Sequence, residues 1–178
     1  MSAAAYILVA LGALLLLAIV LAFNHMVRLR NRVRRAWKDI DVQLKLRHEL
    51  IPLLVRTAEG YALHEKDLLR SVTDMRAEAQ AASGAGERGT RELSLARVLR
   101  EMLLLREDYP ELKADATFER LSQELVVVED HLAAARKYYN GAARIYNTFI
   151  QSFPPLLLAG LLRCRPAEYF QLEEEPPP

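Results

Sequence analysis

Four histidines are the residues of this chain that could ligate a metal, and their spacing argues against both common helical metal sites. A zinc-protease helix needs a second histidine four residues after the first, but Pro52 and Leu68 occupy those positions after His48 and His64. A di-iron bundle needs a glutamate three residues before a histidine, and the four positions concerned hold Ala22, Lys45, Tyr61 and Val128. We therefore expect no catalytic residues, no metal and no other cofactor.

Two further features have weak chemical signatures. The glycine-rich stretch Ser83–Gly89 lacks the lysine and hydroxyl residue of a phosphate-binding loop, so it is expected to connect two helices. Cys164 is the single cysteine, which excludes an intramolecular disulfide and a multi-cysteine metal site. Two interpretations of Cys164 remain: a small hydrophobic residue, or a cysteine near the membrane that accepts a palmitoyl group.

A polar stripe is the strongest candidate for recognition. Its members recur at offsets 0, 4, 7 and 11, so they share one face of a helix: Asn140, Arg144, Asn147 and Gln151. This face is either simply solvated or a partner-binding face that includes the neighbouring Tyr139 and Tyr146. If the Tyr139, Asn140, Tyr146 and Asn147 cluster instead lined a buried pocket, the chain would be a ligand-binding or enzymatic bundle.

Arg47 occupies a position on the apolar seam of its predicted helix. If it is buried it needs a carboxylate, because an unpaired buried charge is too costly to keep, and Glu129 is a candidate partner. The alternative, which we favour from sequence, is that Arg47 snorkels to the edge of the bundle.

The segment Ala3–Phe23 contains 21 residues without a charge, enough for roughly 30 Å of helix and thus for the hydrocarbon core of a bilayer. A cleaved signal peptide would carry its cations before the apolar run, and a buried core helix would need more protein to cover it. We therefore predict a transmembrane anchor over residues 1–25.

A cationic collar follows the anchor, with no acidic residue before Asp39: Arg28, Arg30, Arg32, Arg34, Arg35 and Lys38. This asymmetry predicts a single-pass protein of the inner (cytoplasmic) membrane, with its N-terminus outside and its C-terminal domain in the cytoplasm. The collar suits the anionic headgroups of membrane lipids. Over the whole chain 24 Lys and Arg nearly balance 23 Asp and Glu, so we expect neither nucleic acid nor a small-molecule substrate as a partner.

The remaining chain has apolar residues at steps of three and four, which predicts helices throughout. The expected helices cover residues 24–59, about 64–82, about 90–106 and 116–151, with a kink or a break before Pro52. Two long and two short helices predict an all-α fold, an antiparallel four-helix bundle over residues 26–153. Residues 154–178 are expected to form an apolar segment that lies in the membrane interface, followed by an acidic, proline-rich tail.

The chain resembles the LemA family over nearly its whole length. The similarity rests on these segments: Leu29–Val33, Ala36-Trp37, Ile40–Lys45, Leu50–Val55, Gly60-Tyr61, His64-Glu65, Tyr109–Ala114, Ala135–Asn140, Tyr146–Thr148 and Ile150–Pro154. The resemblance implies a single N-terminal membrane helix and a helical-bundle domain, without an established enzymatic activity, cofactor or catalytic residue. We therefore expect a membrane-anchored helical scaffold or adaptor that binds a protein partner or itself. The alternative is an oligomeric membrane-surface or membrane-shaping protein that uses the collar and Leu156–Leu162.

Overall fold

The computed structural model describes residues 3–170, and each regular element in this range is a helix. The helices are α1 (Ala3–Glu59), α2 (Lys66–Ala81), α3 (Ala85–Asp108), α4 (Pro110–Ala114), α5 (Ala116–Gln151) and α6 (Pro155–Leu161). The predicted all-α class is confirmed. The predicted end of the first long helix at Glu59 and both predicted ends of the second long helix, 116 and 151, are also confirmed. The predicted acidic tail at Glu173–Pro178 lies outside the described residues.

The chain forms two compact units. The first contains the chain up to Ala36 together with Asn140–Ala167, and the second contains Trp37–Tyr139 together with the chain from Glu168. The division predicted from sequence, at residues 25 and 153, stays a prediction.

The second unit has one apolar core to which five helices contribute. Its buried members follow the predicted steps of three and four on the two long helices. They are Ile51, Leu54, Val55 and Ala58 from α1, Leu69, Val72 and Ala79 from α2, Leu95, Leu99, Met102 and Leu105 from α3, Leu112 from α4, and Phe118, Leu121 and Leu125 from α5. This core holds together the helices that carry the polar groups described below.

The first unit contains the apolar start of α1. By length and composition this part of the helix can cross a membrane, and none of its apolar window is buried by other parts of the protein. Large apolar side chains with nothing covering them are uncommon on soluble proteins, so this surface requires a nonpolar environment.

Pro52 lies inside α1, but the helix continues through it to Glu59. Of the two outcomes expected before Pro52, a kink or a break, the break does not occur, and a polar contact satisfies the carbonyl that the proline leaves free. Proline has no N–H, so the carbonyl of His48, four residues earlier, loses its helical donor. The guanidinium of Arg76 on α2 replaces that donor, with Nε donating to the His48 carbonyl at 2.7 Å.

Replacing Arg76 with alanine is expected to lower the free energy of unfolding by about 1–3 kcal/mol, because the His48 carbonyl then has no donor. The same replacement in a Pro52→Ala background should cost less, since the new N–H at position 52 can donate to that carbonyl. Urea unfolding of the four proteins in detergent micelles, followed by circular dichroism, measures the difference. Equal costs in both backgrounds would contradict this role for Arg76.

Only Ser83 and Gly84 of the glycine-rich stretch lie between two helices, and the expected start of the third helix at Thr90 is wrong. Helix α3 begins at Ala85, directly after Gly84, whose φ of 83° makes the turn. Two carboxylates accept N–H groups there: Glu87 from Ser83 at 3.2 Å and Glu168 from Gly86 at 3.3 Å. Negative groups at a helix N-terminus stabilise it, which offsets the low helix propensity of the glycines.

The connection to α5 contains the short helix α4, which was not predicted, and Asp115, which caps the start of α5. Asp115 Oδ1 accepts the N–H of Phe118 at 2.8 Å, and its Oδ2 accepts the hydroxyl of Tyr61 at 2.8 Å. The N–H of Phe118 first, and then the Tyr61 hydroxyl, hold the pKa of Asp115 below its ordinary value of 3.8.

This lowered pKa predicts a pH dependence. A group whose pKa is lower in the folded state stabilises the protein above its unfolded pKa, and the stabilisation is lost as the pH falls through the folded pKa. Because asparagine is also a good N-cap, Asp115→Asn removes the titration and keeps the cap. The thermal midpoint of the wild type should therefore fall more steeply below pH 3.8 than that of the variant. Parallel curves would contradict the prediction.

Candidate functional site

A buried ionic cluster lies in the second unit, where α1, α3 and α5 contribute charged side chains. Arg47 Nη1 donates to Glu92 Oε2 at 3.2 Å, and Arg47 Nε lies 2.9 Å from Glu129 Oε1. His48 Nε2 lies 2.9 Å from Glu92 Oε1. The cluster therefore connects the first long helix to both α3 and α5.

Three of the four cluster residues, Arg47, His48 and Glu92, are removed from water. Arg47 is 1% exposed and Glu92 is 2% exposed, while the Glu129 side chain reaches solvent at 36%. Burial lowers the pKa of the nearby Arg136, and the charge of Glu129 acts in the opposite direction. Buried charges persist only when they are paired, so removing one member should be costly to the fold.

Arg47 Nη2 is buried without a hydrogen-bond partner among the described residues, and so is Nε of the nearby Arg136. Arg47 and Glu92 are joined by a hydrogen bond between charged groups, whereas the contacts with Glu129 and His48 are close approaches of side-chain atoms. No group of three His, Cys, Asp or Glu side chains within residues 3–170 is arranged to hold a metal ion.

The sequence predicted part of this cluster. Glu129 is confirmed as a partner of Arg47, and the preferred interpretation that Arg47 snorkels to the edge is wrong, because the side chain is buried. Glu92 was missed. The sequence pattern could have revealed it, because Glu92 lies three residues before Leu95 and continues the helical spacing of the buried Leu99 and Met102. Glu92 is therefore an acidic residue at a core position.

Tyr139, from the predicted partner-binding set, lies in the second unit and is buried. Its hydroxyl donates to the carbonyl of Glu168 at 2.7 Å, and its ring meets Trp37 edge-on at 5.4 Å. Phe170 also packs against Trp37, at 6.1 Å between ring centroids. Burial, and then the charge of Glu168, raises the pKa of Tyr139. The chain from Glu168 to Phe170 therefore packs on the second unit through aromatic contacts that the sequence did not reveal.

Tyr146 and Asn147 lie in the first unit and are also buried. The amide of Asn147 pairs with the backbone of Ala167 in both directions, donating at 2.9 Å and accepting at 2.7 Å. Burial raises the pKa of Tyr146, with Cys164 adding to the shift and Arg30 and Arg34 opposing it. Both side chains thus fix the segment that follows α6.

The remaining members of the predicted set differ in exposure. Arg144 and Gln151 are exposed and Asn140 is half-buried, so the first two form the accessible part of the stripe. The collar is exposed along its whole length: Arg28, Arg30, Arg32, Arg34, Arg35 and Lys38. The roles of the stripe in partner binding and of the collar in lipid binding stay predictions.

Comparison with known proteins finds similarity to magnetosome proteins. MamQ 1 and MamQ 2, magnetosome proteins of Paramagnetospirillum magneticum, are each 24% identical to this chain over 86% of its length and 66% of theirs. MamQ of Magnetospirillum gryphiswaldense, also a magnetosome protein, is 22% identical over 85% of this chain and 65% of its own length. The chain thus spans slightly less than two thirds of the length of these relatives.

The LemA family model matches residues 36–177. The matched region contains the helices α2–α6 and all members of the buried ionic cluster. Because the match covers well over half of the chain, this protein belongs to the LemA family.

Proposed function

We propose that this protein is a single-pass, membrane-anchored helical scaffold or adaptor without enzymatic activity, whose domain faces the cytoplasm. The observation that carries the proposal is the composition of α1. One continuous helix, Ala3–Glu59, begins with an uncovered apolar segment, then presents five exposed arginines between Arg28 and Arg35, and then enters an apolar core. An adaptor needs such an anchor joined to a folded domain.

The cationic side chains support the proposed location. Each cation close to an anionic membrane surface contributes roughly 1 kcal/mol of attraction, and cations concentrate on the cytoplasmic side of membrane helices. Similarity to magnetosome proteins supports membrane association. We assign this protein to the inner membrane, with its N-terminus outside.

We further propose that α1, α2, α3 and α5 form an antiparallel four-helix bundle. The shared core of the second unit supports this arrangement, since each of the four helices contributes three or more buried residues to it. A bundle fixed by a buried ionic cluster is a rigid support, which suits a protein that positions a partner.

The exposed part of the polar stripe is the proposed partner-binding face. Arg144 can form paired hydrogen bonds with a carboxylate, and Gln151, seven residues later, can donate and accept. Asn147, between them, is already paired with Ala167 and serves the fold. The expected partner is a protein with an acidic surface at the membrane.

Photo-crosslinking in native membranes tests this proposal. A photoreactive residue at Arg144 is expected to capture a distinct protein, and the same residue at Arg100, an exposed arginine on α3, is the matched control. Capture of a second copy alone would instead favour the oligomeric membrane-surface alternative. Recovery of lipid alone, or of the same proteins from both positions, would argue against an adaptor.

A further inference from the structure

The short helix α6, Pro155–Leu161, leaves a group of large apolar side chains uncovered. Pro155 and Ala159 are buried in the first unit, whereas the opposite side and the two ends of the helix are exposed. The exposed residues are Phe153, Leu156, Leu157, Leu161 and Leu162. Leu157 and Leu161 are one helical turn apart, so they share one side of α6. Phe153 lies in the turn that precedes the helix.

Both ends of this segment contact α1 just beyond its apolar part. Before α6, the ring of Phe149 lies 4.8 Å from the ring of His25. After α6, Cys164 Sγ lies 3.8 Å from Met26 Sδ. Met26 is the third residue after Phe23, which places it about 4.5 Å further along the helix axis. Residues on both sides of α6 in the chain therefore contact α1 within one turn of the end of the apolar segment.

The surroundings of α6 specify what covers its exposed face. The apolar segment of α1, which requires hydrocarbon around it, ends close to the residues of α1 that contact the flanks of α6. The cations of the collar follow directly after those residues along α1. Arg163 and Arg165, directly after α6, are also exposed. Leucines and a phenylalanine next to arginines are the composition of a helix that lies in the membrane interface. With seven residues it is far too short to span a bilayer.

We propose that α6 is a second membrane contact, which inserts Leu157 and Leu161 into the interface of the bilayer that α1 crosses. This inference rests on the proposed membrane anchor. It gives the domain two attachment points on one membrane surface, so that rotation of the first unit about the axis of α1 is restricted. The contacts of Phe149 and Cys164 with α1 set the depth of the insertion.

Quenching of tryptophan fluorescence by brominated lipids tests this proposal in the full chain. Trp37 is the only tryptophan, so Trp37→Phe supplies a background without tryptophan. Into it we place Leu157→Trp, the control Leu63→Trp in the loop after α1, and Leu15→Trp in the anchor. The three leucines are matched in exposure, at 65%, 63% and 63%. Vesicles of phosphatidylcholine and phosphatidylglycerol carry bromine either near the headgroup or near the chain ends.

The tryptophan at position 157 should lose roughly half of its emission with bromine near the headgroup, because an interfacial helix buries its apolar face roughly 5–10 Å deep. The tryptophan at position 63 should be unaffected, and that at position 15 should respond most to bromine near the chain ends. If position 157 behaves like position 63 while position 15 is quenched, the second contact is wrong and the anchor stands. If position 15 is also unaffected, both fail. Unchanged circular dichroism shows that each variant is folded.

Discussion

Replacing Arg47 with methionine is expected to lower the free energy of unfolding by about 3–5 kcal/mol, the usual cost of breaking a buried ion pair from one side. Methionine nearly fills the volume of the arginine stem, so the loss comes from charge rather than from a cavity. Glu92, which is 2% exposed, would keep His48 as its neighbour but lose the guanidinium. Urea unfolding in detergent micelles, followed by circular dichroism, measures the change.

The control is Arg100→Met on the exposed surface of α3, which should change stability by no more than about 0.5 kcal/mol. A second variant separates charge from packing. Arg47→Met combined with Glu92→Leu should be more stable than Arg47→Met alone, because no buried carboxylate is then left without its cation. If the double variant loses as much stability as Arg47→Met and Glu92→Leu lose together, the buried pair is not the source of the effect.

Replacing Leu95 with alanine is expected to cost about 2–5 kcal/mol, the sum of lost apolar burial and the cavity left behind. Leu95 is completely buried on α3, one turn from Glu92, and it belongs to the core that α1 and α5 share. The surrounding side chains come from several helices, so they cannot all move to close the space. The midpoint of urea unfolding should fall without a change in slope.

Leu104 on the same helix is the matched control, since it is the same residue type but about half exposed. Leu104→Ala should change stability by no more than about 0.5 kcal/mol, as is usual for surface sites. Equal losses of stability from Leu95→Ala and Leu104→Ala would mean that α3 does not pack the face containing Leu95 against the core.

The two long helices were predictable because their signals are local and repeated. On α5 the apolar steps continue from Phe118 to Tyr146, Asp115 caps the start, and two prolines follow Ser152 and Phe153. On α1 the apolar residues from Ile40 to Ala58 continue in register across Pro52. Such patterns depend on the helix period alone and need no knowledge of the partner helix.

The structure differs from the sequence-based expectations where a residue that is distant in the chain forms a hydrogen bond with a local segment. A kink or a break was expected before Pro52, but the helix continues, and Arg76, 24 residues later in the chain, donates to the freed carbonyl. The glycine-rich stretch is helical from Ala85 onward, where Glu168 accepts the N–H of Gly86. In each case one long-range hydrogen bond changes the local preference, and no periodicity in the sequence encodes it.

In the buried ionic cluster too, long-range partners could not be identified from the sequence. The seam position of Arg47 showed that it needed a carboxylate if buried, and Glu129 was a candidate, but the spacing did not reveal that α3 supplies an acid as well as α5. Both supply one, Glu92 and Glu129. Similarly, the stripe predicted on α5 is a real helical face, but its members differ in burial because Ala167 returns to cover Asn147.

The orientation of the anchor is the central claim, and cysteine labelling from outside the cell tests it most directly. In a Cys164→Ser background, single cysteines are placed at Ser2, before the apolar segment, and at Ser83, in the turn between α2 and α3. An impermeant maleimide should label position 2 and leave position 83 unlabelled until the membrane is permeabilised. Labelling of position 83 but not of position 2 in intact cells would contradict the assignment of the domain to the cytoplasm.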